Sequence, residues 1–220
     1  MTQSELLIAT RNEGKIAELR EAFATLPVAL RFLNEFKNIS EVAEVGETYE
    51  ENATLKAMSY ARQTGITALA DDSGLEVAAL RGGPGVLSAR FGGDHLTDTE
   101  RTRTLLSSLD QSGSTSRIAR FVCCMVVYGW PSSQQAELST AKVLAVTQGV
   151  CEGAIAHDPT GTDGFGFDPI FIPTGYAVSF AALDQAIKRR ISHRARAAEK
   201  MRQQLDLFLR PNLTAGRSAS

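Results

Sequence analysis

The pattern of apolar and polar positions near the N-terminus predicts a buried strand that leads into an amphipathic helix. Residues 6–9 form a short apolar run, as in a strand that is buried on both faces. From Ile16 to Leu26, apolar residues recur every three or four positions, which places them on one stripe of a helix. Asn12 precedes this stripe and is the expected N-cap.

Two further helices are indicated by capping boxes, in which a threonine and a glutamate three positions later satisfy free N–H groups of the first turn. The box at Thr48 and Glu51 begins a helix that we expect to end near Gly65. The box at residues 97–100 begins another helix, which we expect to end about Leu109. In both cases the sequence itself indicates where the helix begins.

The remaining periodic segments predict a mixed sheet. Extended segments are expected at residues 67–70, 75–80, 118–128 and 142–146, and helices at residues 179–187 and from Ser192 onward. Strands alternate with helices at both ends of the chain, whereas β segments follow one another in the middle, which is typical of a mixed sheet in an α/β fold. We expect one domain over residues 1–210 and a flexible tail over residues 211–220.

Composition excludes some classes of function. The chain has 220 residues, of which 43% are hydrophobic and 22% charged, and a formal net charge of -2. General binders of nucleic acid or of membrane surfaces need a basic excess, which this chain lacks. Any anionic ligand must therefore be held by a local basic cluster.

The cysteines and the apolar runs indicate a cytoplasmic protein. Cys123, Cys124 and Cys151 lack metal-ligand spacing, and an odd number suits buried thiols in a reducing compartment. The N-terminus lacks the pattern of a signal peptide. The longest apolar run, residues 121–130, is shorter than the ~18 residues that a membrane span needs. We expect no nucleic-acid or membrane partner.

The first candidate site is the segment between the first strand and helix, Thr10-Arg11-Asn12-Glu13-Gly14-Lys15. Free N–H groups and the positive dipole end at a helix N-terminus bind phosphate, and Lys15 adds a positive charge. The spacing is not that of a Walker A loop. The alternative interpretation is an ordinary N-cap followed by a solvated lysine.

The second candidate is Asp71-Asp72-Ser73-Gly74, which the pattern places at the end of a strand. Catalytic groups of α/β sheets commonly lie at such ends. Adjacent side chains on an extended chain point to opposite faces, so only one carboxylate is expected to face a ligand. That carboxylate is suited to bind magnesium or to orient a water. An ordinary Asp-Ser-Gly turn is the alternative.

Two more candidates lie in the C-terminal third, a glycine-rich loop at residues 161–169 and a basic segment at residues 188–196. Glycines let backbone approach a ligand closely, and neighbouring phenylalanine rings are suited to stack on a base. Ser192 is the expected N-cap of the last helix, so His193 and Arg194 lie where cations oppose the helix dipole. An electron-rich ligand would explain them, and a core-packed loop with a solvated basic face is the alternative.

These segments belong to a set of six motifs that occur in a fixed order along the chain. They are Thr10-x-Asn12-x-x-Lys15, Glu51-Asn52-Ala53-x-x-Lys56-Ala57, Ala70-Asp71-Asp72-Ser73-Gly74-Leu75, Pro84-Gly85-x-x-Ser88-Ala89-Arg90, Gly164-Phe165-Gly166-Phe167-Asp168-Pro169 and Ser192-His193-Arg194. In this order they resemble the Ham1 family of inosine triphosphate pyrophosphatases, also called noncanonical purine NTP pyrophosphatases. The resemblance runs from Leu6 to about Leu209.

The resemblance implies an α/β fold with an elongated, twisted mixed β-sheet, flanking helices and two lobes around a central substrate cleft. It also implies a homodimeric enzyme that uses Mg²⁺. The implied reaction converts ITP, dITP or XTP to the monophosphate and pyrophosphate, which removes deaminated purines from the nucleotide pool.

Roles follow from the resemblance by position. Asp72 would be the general base and a magnesium ligand, and whether it is both stays open. A second carboxylate ligand would come from residues 44–47, with Glu44 favoured by its spacing to Asn52 and Glu47 the alternative. Substrate would be bound by Thr10, Arg11, Asn12, Glu13, Gly14, Lys15, Ser73, Phe165, Gly166, Phe167, Asp168, Lys188, His193 and Arg194.

The sequence departs from the family pattern at two positions. Arg11 stands where bacterial relatives often carry glycine, and Phe167 where they often carry tyrosine.

One alternative function is a pyrophosphatase of the Maf-like group that acts on other modified nucleotides. The other is a nucleotide-binding module without catalysis, although phosphate binding alone gains nothing from the negative charge of Asp71 and Asp72.

Overall fold

The computed structural model describes residues 4–130 and 140–209, and six strands in these ranges form one mixed sheet. The strands are β1 (Glu5–Ile8), β2 (Ala29–Phe32), β3 (Ala68–Val77), β4 (Ile118–Gly129), β5 (Lys142–Ile155) and β6 (Phe171–Pro173). Their order is β2-β1-β3-β4-β5-β6, parallel from β2 to β3 and antiparallel beyond. The predicted mixed sheet is confirmed, and the predicted tail at 211–220 lies outside the described residues.

Five α-helices accompany the sheet in the described ranges. They are α1 (Glu13–Ala22), α2 (Tyr49–Thr64), α3 (Asp98–Gln111), α4 (Gln185–Ile191) and α5 (His193–Leu209). The predicted N-caps of the first three helices are confirmed, because the side chains of Asn12, Thr48 and Thr97 each accept a backbone N–H three residues on. Short 3-10 helices, among them Gly85–Arg90, connect the other elements.

Several elements differ from those predicted from the sequence. β2 was not expected, and β5 continues to Ile155, well beyond the predicted strand. The helix expected from residue 179 begins only at Gln185, because the Asp184 carboxylate accepts the Ala186 N–H at 2.7 Å and caps the helix there. None of the helices in the described ranges is long and apolar enough to cross a bilayer.

The helices cover both faces of the sheet. On one face α1 and α5 pack against β1, β3 and β4, with Leu69 and Met125 in the interface. On the other face α2 packs through Ala53 and Ala57. A third apolar cluster, rich in phenylalanine, lies towards β6. Because successive residues of β3 face opposite ways, its side chains reach both packed layers.

Candidate functional site

A cleft of about 440 Å³ brings together residues from distant parts of the chain. Its walls come from the loop after β1, α1, residues 41–44, α2, β3, the start of α3, residues 165–168 and the junction of α4 and α5. The predicted site residues line this cleft except for Glu13 and Gly14, and the alternative metal ligand Glu47 lies in a separate groove. The fold therefore assembles most of the predicted residues around one cavity.

The N-terminus of α1 presents the predicted phosphate-binding segment to the cleft. Asn12 Oδ1 accepts the Lys15 N–H at 3.0 Å, and Thr10 Oγ1 accepts the Asn12 N–H at 3.2 Å. These bonds fix the turn before the helix. Thr10, Arg11, Asn12 and Lys15 line the cleft, whereas Glu13 is exposed on the outer side of the first turn.

Asp71 and Asp72 lie in the middle of β3 and not at a strand end, so that prediction is wrong. The antiparallel ladder with β4 continues through them, with Asp71 opposite Met125 and Asp72 opposite Cys124. The composition Asp-Asp-Ser-Gly is typical of a turn, but pairing with β4 keeps this segment extended. No local sequence pattern reveals that long-range pairing. As predicted for an extended chain, the two carboxylates face opposite sides.

Asp71 faces the side of the sheet covered by α1 and α5, and its side chain is fully buried. Its Oδ2 atom is 2.8 Å from Lys15 Nζ and 3.4 Å from Arg194 Nε. Burial by itself would raise the pKa of Asp71, but the charges of Lys15 and Arg194 outweigh it and hold the pKa well below its ordinary value. Asp71 is therefore an internal counter-ion for two cations of the cleft.

Asp72 faces the α2 side and lines the cleft. Its Oδ1 atom is 3.4 Å from Lys56 Nζ, and its Oδ2 atom accepts the Asn52 side-chain N–H at 3.2 Å. Burial raises the pKa of Asp72; the charge of Lys56 opposes this rise and that of Glu44 reinforces it. The Asp72 carboxylate thus has less positive charge around it than Asp71, and a further cation would stabilise it.

Glu44 and Asp72 converge on one point of the cleft, because Lys56 Nζ is also 3.0 Å from Glu44 Oε1. Mg²⁺ prefers oxygen ligands, and at phosphate sites it usually takes one or two carboxylates and fills its octahedron with water and phosphate. Groups of three or more His, Cys, Asp or Glu with metal-binding geometry are absent from residues 4–130 and 140–209. A pair of converging carboxylates fits a magnesium ion that is shared with a bound nucleotide.

Asn52 and Lys56 are functional candidates to which the sequence interpretation assigned no role. Both side chains are buried on α2, four positions apart, and both contact Asp72. The signal was present: two polar residues interrupt a stripe of alanines, which includes Ala53 and Ala57, on the buried side of a helix. Buried polar groups need partners, so such a pair indicates a polar network.

Phe165 lines the cleft beside two cations and the start of α1. Its ring is 5.6 Å from Lys188 Nζ and 5.4 Å from the Arg194 guanidinium carbon, both cation–π distances. A Cβ atom at Gly14 would lie 2.5 Å from this ring, so only glycine lets the α1 segment approach it this closely. The side chain of Phe167 packs into the apolar cluster near β6. For this residue the structure agrees with the alternative interpretation of a loop packed into the core.

The loop at residues 165–168 is held by two carboxylates. Asp168 Oδ2 accepts the Phe165 N–H at 2.9 Å and lies 2.6 Å from Lys188 Nζ. Asp98, on the first turn of α3, accepts the Gly166 N–H at 2.6 Å. These loop N–H groups therefore already have partners, and Asp98 is a third residue, after Asn52 and Lys56, to which the sequence assigned no role.

His193 and Arg194 begin α5 and are both buried. The His193 ring stacks on Phe121 with centroids 4.6 Å apart. Burial lowers the pKa of His193 well below its ordinary value, and the charge of Arg194 adds to this effect, so the ring is neutral at pH 7. Arg194 donates to Glu18 at 2.6 Å and to Ser73 Oγ at 3.0 Å, which ties α5 to α1 and β3.

Comparison with known proteins identifies relatives along almost the whole chain. Residues 6–204 match the family model described as the Ham1 family. A dITP/XTP pyrophosphatase from Syntrophobacter fumaroxidans is 43% identical over 213 residues, which are 96% of this chain and 85% of the relative. Another, from Bacillus anthracis, is 40% identical over 201 residues, which are 91% of this chain and 96% of the relative.

Solved structures of similar proteins share the fold. A HAM1 protein from Coxiella burnetii superposes with a TM-score of 0.82 at 37% identity, covering 92% of this chain and 98% of that one. The Ham1 protein of Staphylococcus aureus gives a TM-score of 0.77 at 36% identity, with the same coverage. The predicted α/β fold with a mixed sheet is confirmed.

Proposed function

Because the chain belongs to the Ham1 family, we propose that it hydrolyses the noncanonical purine nucleotides ITP, dITP and XTP to the nucleoside monophosphate and pyrophosphate. The observation that carries the proposal is one cleft that is lined by a helix N-terminus with Lys15, by the carboxylate of Asp72 and by the buried cations Lys188 and Arg194. A Maf-like activity lacks comparable support, and a pure binding module would not need Asp72 in the cleft.

The α1 segment is the proposed site for the triphosphate. Thr10, Asn12 at the N-cap of α1 and Lys15 line the same part of the cleft. Lys15 Nζ lies 2.8 Å from Asp71 Oδ2, and this pairing holds the charge of Lys15 at the cleft. A phosphate group there gains charge-assisted hydrogen bonds.

Asp72 is the proposed residue that acts on the attacking water. In-line attack on the α-phosphorus expels pyrophosphate, and a carboxylate in this position is suited to orient the water or to accept its proton. Lys56 lies between Asp72 and Glu44 and is protonated, since these carboxylates raise its pKa despite its burial. Lys56 thereby holds positive charge beside the reacting phosphate.

Glu44 and Asp72 are the residues proposed to hold Mg²⁺. When bound, Mg²⁺ would neutralise charge that develops on the phosphate oxygens. Glu44 is preferred to Glu47, because Glu47 lies outside the cleft and its N–H is held at 2.7 Å by Glu51 on α2. Glu44 instead shares Lys56 with Asp72.

Lys188, His193 and Arg194 are proposed to read the base. Hypoxanthine and xanthine carry an oxygen acceptor at C6, where adenine carries an amino donor. Buried donors without a partner are costly, so a wall of donors favours the oxygen and rejects adenine, by as much as ~10⁴-fold in sites of this type. Guanine shares the oxygen, so its rejection requires a separate contact with its 2-amino group.

A nucleotide panel with product analysis tests the proposal. We expect monophosphate and pyrophosphate in equal amounts, with ITP, dITP and XTP far better substrates than ATP and with GTP rejected less strongly. The primary release of nucleoside diphosphate with orthophosphate, or equal catalytic efficiency with ITP and ATP, would contradict it. We further propose a homodimer, as in the family resemblance, and sedimentation at several concentrations tests that state.

A further inference from the structure

Asn52 connects two parts of the cleft that are far apart in sequence. The side chain has no exposed surface and lies on the first turns of α2. Its Oδ1 atom accepts the Gly46 N–H at 2.8 Å, and its Nδ2 atom donates to Asp72 Oδ2 at 3.2 Å. A longer contact of 3.4 Å joins Nδ2 to the Gly46 carbonyl. One amide group therefore contacts both the loop that carries Glu44 and the strand that carries Asp72.

The orientation of this amide is fixed by its surroundings. The Gly46 N–H is a donor and can face only the carbonyl oxygen of Asn52, which leaves the two N–H bonds of Nδ2 for the Gly46 carbonyl and for Asp72. The loop must also approach the helix closely. A Cβ atom at Gly46 would lie 2.7 Å from Glu51 Cβ and 2.8 Å from Asn52 Oδ1, so glycine is required for this contact.

We infer that Asn52 is a positioning residue that fixes the spacing between Glu44 and Asp72 and so preorganises the cation site. This inference rests on the proposed function, in which these two carboxylates hold Mg²⁺. Residues that orient metal ligands from behind are worth about 10- to 100-fold in metal affinity or activity. Asn52 contacts Asp72 directly. It holds Glu44 indirectly, through a hydrogen bond to Gly46, which lies two residues after Glu44.

The other contacts of the loop cannot replace this one. Lys56 touches both carboxylates, but an ammonium on a flexible stem is a point charge that sets no angle. Arg90 holds the Glu44 carbonyl at 3.0 Å, but this bond is exposed and does not reach Asp72. The planar, fully buried amide of Asn52 is the contact that orients both the loop that carries Glu44 and the carboxylate of Asp72.

The test measures divalent-cation affinity without nucleotide. Mn²⁺, which shares the preference of Mg²⁺ for octahedral oxygen ligands, serves as the probe and is followed by electron paramagnetic resonance. Asn52→Leu removes the amide at similar volume, and Gly46→Ala moves the loop away while leaving Asn52 in place. We expect both variants to bind Mn²⁺ about 10- to 100-fold more weakly than the wild type. Thr147→Val, which removes another buried hydrogen bond away from the cleft, is the matched control.

A second readout separates positioning from damage to the fold. If Asn52 acts through the cation site, raising the Mg²⁺ concentration restores much of the lost kcat of Asn52→Leu and of Gly46→Ala, while KM for ITP changes little. Loss of activity that excess Mg²⁺ does not restore, with a lowered melting temperature, would overturn the inference and assign Asn52 to structure alone.

Variants of the carboxylates distinguish failure of the inference from failure of the proposed function. Glu44→Gln and Asp72→Asn should each weaken Mn²⁺ binding. If they do and the Asn52 and Gly46 variants do not, the positioning role is wrong and the metal assignment stands. If neither carboxylate variant changes Mn²⁺ binding, the metal assignment fails and the positioning role fails with it.

Discussion

The neighbouring residues Asp71 and Asp72 of β3 differ in their environment and therefore in their role. Asp71 is enclosed by Lys15 and Arg194 and its pKa is lowered, whereas Asp72 opens to the cleft and its pKa is raised. The chemical groups are identical, and the face of the strand alone separates them. We therefore expect the two asparagine substitutions to fail in different ways.

Asp72→Asn should lower kcat by about 100-fold or more at unchanged stability, because a base or metal ligand is lost. Asp71→Asn should instead lower the free energy of unfolding by about 3–5 kcal/mol, because Lys15 and Arg194 lose a buried partner. Its effect on turnover per folded molecule should be the smaller of the two. Urea unfolding and steady-state kinetics at saturating Mg²⁺ measure both. Near-normal turnover of Asp72→Asn would show that the assignment is wrong.

Lys15→Ala tests the phosphate site against an ordinary helix start. If Lys15 contacts the triphosphate, kcat/KM for ITP should fall by about 1.5–3 kcal/mol, the usual contribution of a charged hydrogen bond. Lys200→Ala, which removes an exposed lysine bonded to the Gln148 carbonyl, should leave kcat/KM unchanged. Equal kcat/KM for Lys15→Ala and wild type over a range of ionic strength would favour a solvated lysine.

At the scale of elements, α3 supports the loop that is proposed to enclose the base. Asp98 accepts the Gly166 N–H at 2.6 Å, and Thr102, also on α3, donates to the Gly166 carbonyl at 3.4 Å. Both polar groups of Gly166 are thus held by one helix. The position of the loop therefore depends on α3.

Asp98→Ala should raise KM for ITP about three- to tenfold with a smaller change in kcat, as expected for the loss of one hydrogen bond that orders a binding loop. Asp98→Asn keeps an acceptor and should remain close to wild type. Asp110→Ala, in the last turn of the same helix, controls for effects on α3 itself. An unchanged KM for Asp98→Ala would mean that the loop does not depend on this bond.

The elements that could be predicted from the sequence are those defined by local signals. Capping residues and apolar stripes gave the starts of α1, α2 and α3, because a cap is complete within four residues. The strand around Asp71 and Asp72 was predicted to end there, since its continuation depends on β4, about 50 residues away. The same limit applies to the site: the motifs indicated Asp72, but not that α2 supplies Asn52 and Lys56 as its neighbours.

At the scale of the whole molecule, stability should depend on pH through a histidine that is buried without charge. Burial, together with the positive charges of Arg194, Lys188 and Lys15, holds the pKa of His193 in the folded chain well below its ordinary value, although the charge of Asp71 opposes this shift. In the unfolded chain the pKa of His193 is about 6.5. Below that pH the unfolded state binds a proton that the folded state does not, so the free energy of unfolding falls as the pH falls. Above it His193 contributes no pH dependence.

Urea unfolding at about pH 7.5 and about pH 5.5 measures this contribution, which for one proton is at most ~1.4 kcal/mol per pH unit. Between the higher and the lower pH, the free energy of unfolding of His193→Gln should fall by less than that of the wild type. This holds whatever the stability of the variant at the higher pH. His95→Gln, at an exposed histidine, should keep the wild-type dependence. Identical pH dependence in wild type and His193→Gln would refute a neutral buried ring.

Three cations that line the cleft already have anionic partners within the chain: Lys15 has Asp71, Lys188 has Asp168, and Arg194 has Glu18. At these three positions a bound nucleotide therefore competes with a carboxylate of the chain itself. A small anion such as orthophosphate or sulfate offers only one contact in return and competes poorly with a tethered carboxylate. A triphosphate that carries a base contacts several of these cations at once. Simple anions make only one such contact, so they should occupy this cleft very little, although they are abundant in a cell.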